Sequence, residues 1–231
     1  MKYGKIVKGI FLERPNRFIA KVIINGNEET VHVKNTGRCR EILKPGTEVI
    51  LEEYDNENRK TKYSLIAAYK GNMLINIDSQ IPNAVVSDAI RNYEIEEFRD
   101  VVSLKREVSF KSSRFDIYCE GNNRKIFIEV KGVTLEKDGT AMFPDAPTQR
   151  GLKHVMELKE AVRMGYEGFI IFLVQMEGVN CFTPNYEMDI DFSKGLKKAQ
   201  KGGVKILAFN SIVNEDEIEL GERINVRLIG Y

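Results

Sequence analysis

Gly168-Phe169-Ile170-Ile171-Phe172-Leu173-Val174 carries no polar side chain. A strand with one wet face alternates apolar and polar residues, whereas an unbroken apolar run of this length belongs to a strand covered on both faces. That places a mixed sheet between layers of helix. Working outward, helical periodicity runs from Gln149 to Met164 and from Phe192 to Lys201, and a further strand from Val204 to Phe209. Upstream lie strands Leu104 to Phe110, Arg114 to Cys119 and Lys125 to Lys131, the last two joined by a Gly-Asn-Asn turn at 121–123. Residues 132–148 read as a loop. Val85 to Asp100 reads as one bent or two short helices turning Ile90, Tyr93, Ile95 and Phe98 inward, after a break at Pro82-Asn83.

The N-terminal third is patterned differently. Period-two alternation recurs at Lys5 to Leu12, Arg17 to Ile24, Glu29 to Val33, Thr47 to Tyr54, Tyr63 to Tyr69 and Met73 to Ile77. Asn25-Gly26-Asn27, Asp55-Asn56-Glu57-Asn58 and Lys70-Gly71-Asn72 supply reversals, and Gly37 to Leu43 reads as one short helix stopped by Pro45-Gly46. Short strands with one helical insertion predict an OB-type β-barrel. The chain is thus expected to hold two domains of α+β or α/β class: a barrel over 1–81, and over 82–231 a mixed sheet flanked by helices.

Composition narrows the function classes. Of 231 residues, 42% are hydrophobic and 30% charged, an ordinary globular balance. The net charge of +1 hides a split: residues 1–81 hold 14 lysines and arginines against 10 acids, the remainder 21 against 24. A basic end steers a polyanion and an acidic cluster holds a cation. No apolar run approaches the roughly 18 residues of a membrane span, so neither membrane insertion nor secretion is expected. Cys39, Cys119 and Cys181 are odd in number and form no CxxC pair, which speaks against a disulfide framework and a zinc knuckle and for the reducing cytoplasm. With two histidines, no glycine-rich phosphate loop and no Ser/His/Asp arrangement, a sugar-metabolising enzyme has no supporting constellation.

The candidate chemistry lies on two strands. Glu129 and Lys131, two apart, share a strand face, and a neighbouring strand can bring Asp116 beside them. Two carboxylates suit Mg²⁺ or Mn²⁺, and the lysine can orient an attacking water at a phosphodiester. Charged residues inside the apolar run Ile126-Phe127-Ile128 are costly unless paired, liganded or solvated. A solvated Glu-Lys pair is the other reading of the tripeptide. Glu107 on the preceding strand is a further candidate ligand. Arg150, His154 and Glu157 fall on one helix face, where Arg150 and His154 can flank the site and meet a phosphate. In the barrel, Arg14, Arg17, Lys34, Arg38 and Arg40 are interleaved with Phe11, Phe18, Tyr54 and Tyr63, cations for phosphates and rings for bases, half of those rings serving the core. Asn35-Thr36-Gly37-Arg38 reads as a turn with a capping threonine.

Asn35-Thr36-Gly37-Arg38-Cys39, Arg114-Phe115-Asp116, Glu129 to Leu135 and above all Phe143-Pro144-Asp145-Ala146-Pro147-Thr148-Gln149-Arg150-Gly151-Leu152-Lys153-His154 resemble the sugar fermentation stimulation protein family over essentially the whole chain. The resemblance implies an OB-fold, a C-terminal domain of the PD-(D/E)xK (restriction-endonuclease-like) class and DNA binding with little sequence preference. It matches Asp116 to the first acid, Glu129 to the second and Lys131 to the lysine, with Phe115 where the signature has proline. Two functions remain open: a Mg²⁺-dependent DNA nuclease, and a non-catalytic DNA-binding regulator of sugar metabolism on a nuclease scaffold. Single- or double-stranded DNA is the expected partner, and a homodimer is left open.

Overall fold

The computed structural model describes the chain except Thr36, Glu57 and residues 229–231. The expected Thr36 cap and the centre of the reversal at 55–58 therefore lie outside the described residues. Strands β1 (Lys5–Asn16), β2 (Ile19–Ile24), β3 (Asn27–Val33), β4 (Glu48–Glu53), β5 (Tyr63–Lys70) and β6 (Met73–Asn76) form one sheet in the order β3-β2-β1-β4-β5-β6, and a parallel β3–β5 pairing closes it into the OB barrel. Two irregularities bend the long β1 around the barrel. At Gly9 a Cβ would stand 2.5 Å from Val22 Cγ1, so only glycine admits this close strand approach. Asn25 and Gly26, with φ of 51° and 82°, make the hairpin that their residue types predict.

The short helix expected over Gly37 to Leu43 is absent; the chain bends at Gly37 and makes one turn at 40–42. Cys39 sits at φ 47°, which interrupts helical winding. The Arg14 guanidinium donates to the carbonyls of Gly37 and Arg38, oxygens that a helix over 37–43 would use, and to those of Asn35 and Arg17. Of the barrel rings, Phe11 and Tyr63 are buried and Phe18 is exposed.

The second sheet comprises β7 (Ser103–Phe110), β8 (Ser113–Gly121), β9 (Arg124–Val133), β12 (Glu167–Val174), β14 (Lys205–Val213) and β15 (Ile218–Arg223), in the order β15-β14-β12-β9-β8-β7. β9, β12 and β14 run parallel, while the hairpin partners at both edges run antiparallel. β12 holds the apolar run. Its even residues, Ile170, Phe172 and Val174, pack with α2 (Gln149–Arg163) and α3 (Ile190–Lys201), and its odd residues with α1 (Pro82–Arg91). Helices therefore cover both faces, as the run requires. α1 starts at Pro82 itself, because a missing N–H is harmless in the first helical turn. A short 3₁₀ turn, Glu96–Phe98, follows it. Ile90, Ile95 and Phe98 are buried as expected, but Tyr93, at φ 58° just past the helix end, is 56% exposed rather than inward.

The expected loop at 132–148 instead contains β10 (Leu135–Lys137) and β11 (Thr140–Phe143), a hairpin turning at Asp138-Gly139; with β13 (Cys181–Pro184) and β16 (Asn225–Val226) it builds a third, four-stranded sheet. The three cysteines are buried and unlinked, and no helix among the described residues is long and apolar enough to cross a membrane.

Barrel and second sheet meet along a buried polar seam. Gln175 Nε2 donates to Asn76 Oδ1 and to the Asp78 carbonyl, each at 3.0 Å, and Asn76 Nδ2 donates to the Tyr3 hydroxyl at 2.8 Å. The backbone joins in, with Asn76 N donating to Gln175 O at 2.9 Å and Tyr3 N to Asp216 O at 2.8 Å. Polar groups this deep cost free energy when a partner is removed. Gln175→Leu should lower stability by about 1–3 kcal/mol, read as a shifted urea midpoint; an unchanged midpoint would show that the seam holds nothing together.

Candidate functional site

Asp116 on β8 and Glu129 and Lys131 on β9 converge as the strand geometry predicts. The β8–β9 ladder stops at the pair Ile117↔Ile128. Beyond it the Asp116 side chain stands in for the missing backbone acceptor, its Oδ2 taking the Val130 N–H at 2.8 Å. Its Oδ1 accepts from Asn83 Nδ2 at 2.8 Å, and Asn83 lies in the first turn of α1. The reading of Pro82-Asn83 as a mere break missed this residue. Burial and then the Glu129 charge push the Asp116 carboxyl up to about 6, against the opposing pull of Lys131 and the two hydrogen bonds.

Glu129 is 1% exposed. Its Oε1 accepts from Lys131 Nζ at 2.5 Å and faces His154 Nδ1 at 2.6 Å. Burial alone would raise this carboxyl, but the His154 hydrogen bond and the Lys131 ammonium outweigh burial and hold it below the usual carboxylate range. Its Oε2 is buried with no hydrogen-bond partner.

Helical spacing places His154 and Arg150 on the site's side of α2, and the structure adds what each does. His154 is 6% exposed and turned onto Glu129, and Arg150 Nε donates to its Nε2 at 3.5 Å. Glu157 diverges from them, accepting from the Ser112 hydroxyl at 2.5 Å on the β7–β8 turn. Glu107 does not join the site. At φ 57° it drops out of the ladder between Arg106↔Ile117 and Val108↔Phe115, and its exposed carboxylate pairs with Arg114 Nε at 2.7 Å.

Of the barrel cations, Arg14, Arg17, Arg38 and Arg40 line one cleft of about 470 Å³, with Arg17 over the exposed Phe18 ring at 5.4 Å. Arg14 braces the cleft, since its terminal nitrogens are committed to carbonyls, whereas Arg17, Arg38 and Arg40 are exposed. Lys34 is separate from them. It is half-buried between Glu52 at 3.1 Å and Asp78 at 3.3 Å, so its charge is already answered inside the protein.

The donor set suits a hard cation. Glu129 Oε2 is a buried acceptor without a donor, and Asp116 stands close enough to feel its charge. Among the described residues no group of three or more His, Cys, Asp or Glu side chains has metal-holding geometry. A metal here would take two carboxylates and complete its shell with further oxygen ligands, the habit of a hard cation rather than of zinc.

The profile of the "Sugar fermentation stimulation protein RE domain" matches residues 80–217, and that of the "SfsA N-terminal OB domain" residues 12–77. A sugar fermentation stimulation protein homolog of Alkaliphilus oremlandii is 57% identical over 231 residues, covering 98% of each chain. One from Desulfitobacterium hafniense is 54% identical over 99% of each. A solved structure, that of Pyrococcus furiosus SfsA in complex with Ca²⁺, superposes with a TM-score of 0.90 at 29% identity, covering 98% of both chains.

Asp116 gives the metal-free protein a pH signature. Its folded pKa lies above its unfolded value, so its contribution to stability is fully present below about pH 4 and is lost as pH rises through about 6. A rise from about 4 to about 6 corresponds to about 3 kcal/mol. The difference in urea stability between parent and Asp116→Ala should change by that order across this window in EDTA; parallel curves would show that the carboxyl is not destabilised.

Proposed function

This chain belongs to the sugar fermentation stimulation protein family, and from that premise we propose that it binds DNA with little sequence preference and hydrolyses phosphodiester bonds with the help of a divalent cation, Mg²⁺ or Mn²⁺. The observation that carries the reading is Glu129: a carboxylate 1% exposed, one oxygen clamped by Lys131 and His154, the other buried without a partner beside Asp116. Such an oxygen costs free energy unless a cation answers it. The Ca²⁺ complex of the Pyrococcus furiosus relative supports a site for a divalent ion on this scaffold.

Asp116 and Glu129 would hold the ion, which supplies Lewis acidity and charge neutralisation at the phosphodiester. Asn83 and the Val130 N–H fix the Asp116 carboxylate, and His154 fixes that of Glu129. Lys131 Nζ, anchored on Glu129, donates to the attacking water and to the phosphate as its charge grows. The water oxygen bonds to phosphorus as the P–O bond to the leaving group breaks, and a proton passes to the departing oxygen. Arg17, Arg38 and Arg40 in the barrel cleft neutralise phosphates of the bound strand, with the exposed Phe18 ring offered to a base.

The competing reading, a DNA-binding regulator that does not cut, draws on the small donor set, two carboxylates both already hydrogen-bonded within the protein. The two readings part on one experiment. Single- and double-stranded DNA incubated with Mg²⁺, Mn²⁺ or EDTA should be cut only with metal, and Asp116→Ala and Lys131→Ala should each lower the rate by about 10²–10⁴. Binding in EDTA should survive in Asp116→Ala, since losing a carboxylate reduces repulsion of phosphates. Cleavage by Asp116→Ala at the parent rate would refute the site; binding without cutting in any metal would favour the regulator.

A further inference from the structure

A second basic cleft, of about 780 Å³, lies between the β7–β8 turn and the first two turns of α2. Lys111, Arg114, Arg150 and Lys153 line it together with serine hydroxyls, and among the described residues no carboxylate does. The turn and the helix are tied across it by Lys153 Nζ donating to Ser112 O at 2.9 Å. The acids that accompany these cations sit at its margins: Glu157 on Lys153 at 4.0 Å, Glu107 on Arg114 at 2.7 Å and Glu160 on Lys111 at 3.3 Å. The last two are exposed pairs, which are weak and readily exchanged for a phosphate. Arg150 makes no ion pair among the described residues. The cleft also opens against the site, because His154 lines it and reaches Glu129 Oε1 at 2.6 Å.

Four cations without a lining carboxylate, one side chain from a carboxylate pair, form a surface that an oxyanion can enter and a cation cannot. We propose that this cleft is a phosphate subsite, which holds a phosphate of the nucleic-acid strand next to the one being cut. The phosphate belongs either to a strand's 5′ terminus, as a monoester, or to the continuing backbone, as a diester. Its role as a neighbour of the cut site rests on the nuclease reading above; its affinity for phosphate does not.

The test reads binding without cleavage. Fluorescence anisotropy in EDTA compares parent protein with Lys111→Gln/Arg114→Gln, two exposed positions outside the catalytic set, on one single-stranded oligonucleotide bearing either a 5′-phosphate or a 5′-hydroxyl. The double variant should bind several-fold more weakly, and its slope of log affinity on log salt should fall by about one. A loss confined to the phosphorylated strand assigns the cleft to a terminal monoester, and an equal loss on both assigns it to the backbone. Unchanged affinity and slope overturn the proposal. Hydrogen exchange on the parent protein gives an independent reading: bound oligonucleotide should slow exchange in 109–114 and 149–154, and no protection there overturns it equally. Because both measurements exclude metal, a protein that never cuts DNA still decides this question.

Discussion

A carboxylate buried at 1% exposure in the middle of a sheet is tolerable only if cations and donors answer it, and the C-terminal half is organised around that demand at Glu129. Lys131 from the same strand and His154 from α2 both meet one of its oxygens, which leaves the other buried without a hydrogen-bond partner. The same arrangement strains Asp116, whose carboxyl rises to about 6 from burial and from this neighbour's charge. On the proposed metal-dependent reading, a positive ion between the two carboxylates would relieve both at once.

The scaffold sets this pair where three elements meet. β9 has a parallel partner in β12 and an antiparallel one in β8, and where the β8–β9 ladder ends, a side chain rather than a backbone carbonyl takes up the free Val130 N–H. α1 contributes Asn83 from one face of the sheet and α2 contributes His154 from the other. The Gln175–Asn76–Tyr3 seam ties the barrel to this sheet. Gly37 lines both the arginine cleft and a smaller one that Gly132, the residue after Lys131, also lines.

Much of this is legible in the sequence. The barrel strands follow from alternation, the hairpin at Asn25-Gly26 from the ease of positive φ, and the doubly covered β12 from seven apolar residues in a row. The β10–β11 hairpin escaped because strands of three and four residues are too short for periodicity to register, although Asp138-Gly139 carried its turn signal. The helix expected at 37–43 is absent for a non-local reason: Arg14, more than twenty positions away, claims the Gly37 and Arg38 carbonyls that the helix needs.

What the sequence determined by itself was local: which residues alternate, which turn, and that Glu129 and Lys131 share a face. The structure alone decided which partners those residues meet. Lys34 looked like any basic residue, yet Glu52 and Asp78 enclose it; Glu107 looked like a ligand, yet its left-handed backbone sends it to Arg114; Asn83 looked like punctuation, yet it holds Asp116 from 33 residues away. The physical reason is that periodicity and turn preference are written within a few residues of the chain. The charge state and partners of a buried group depend on every element packed against it.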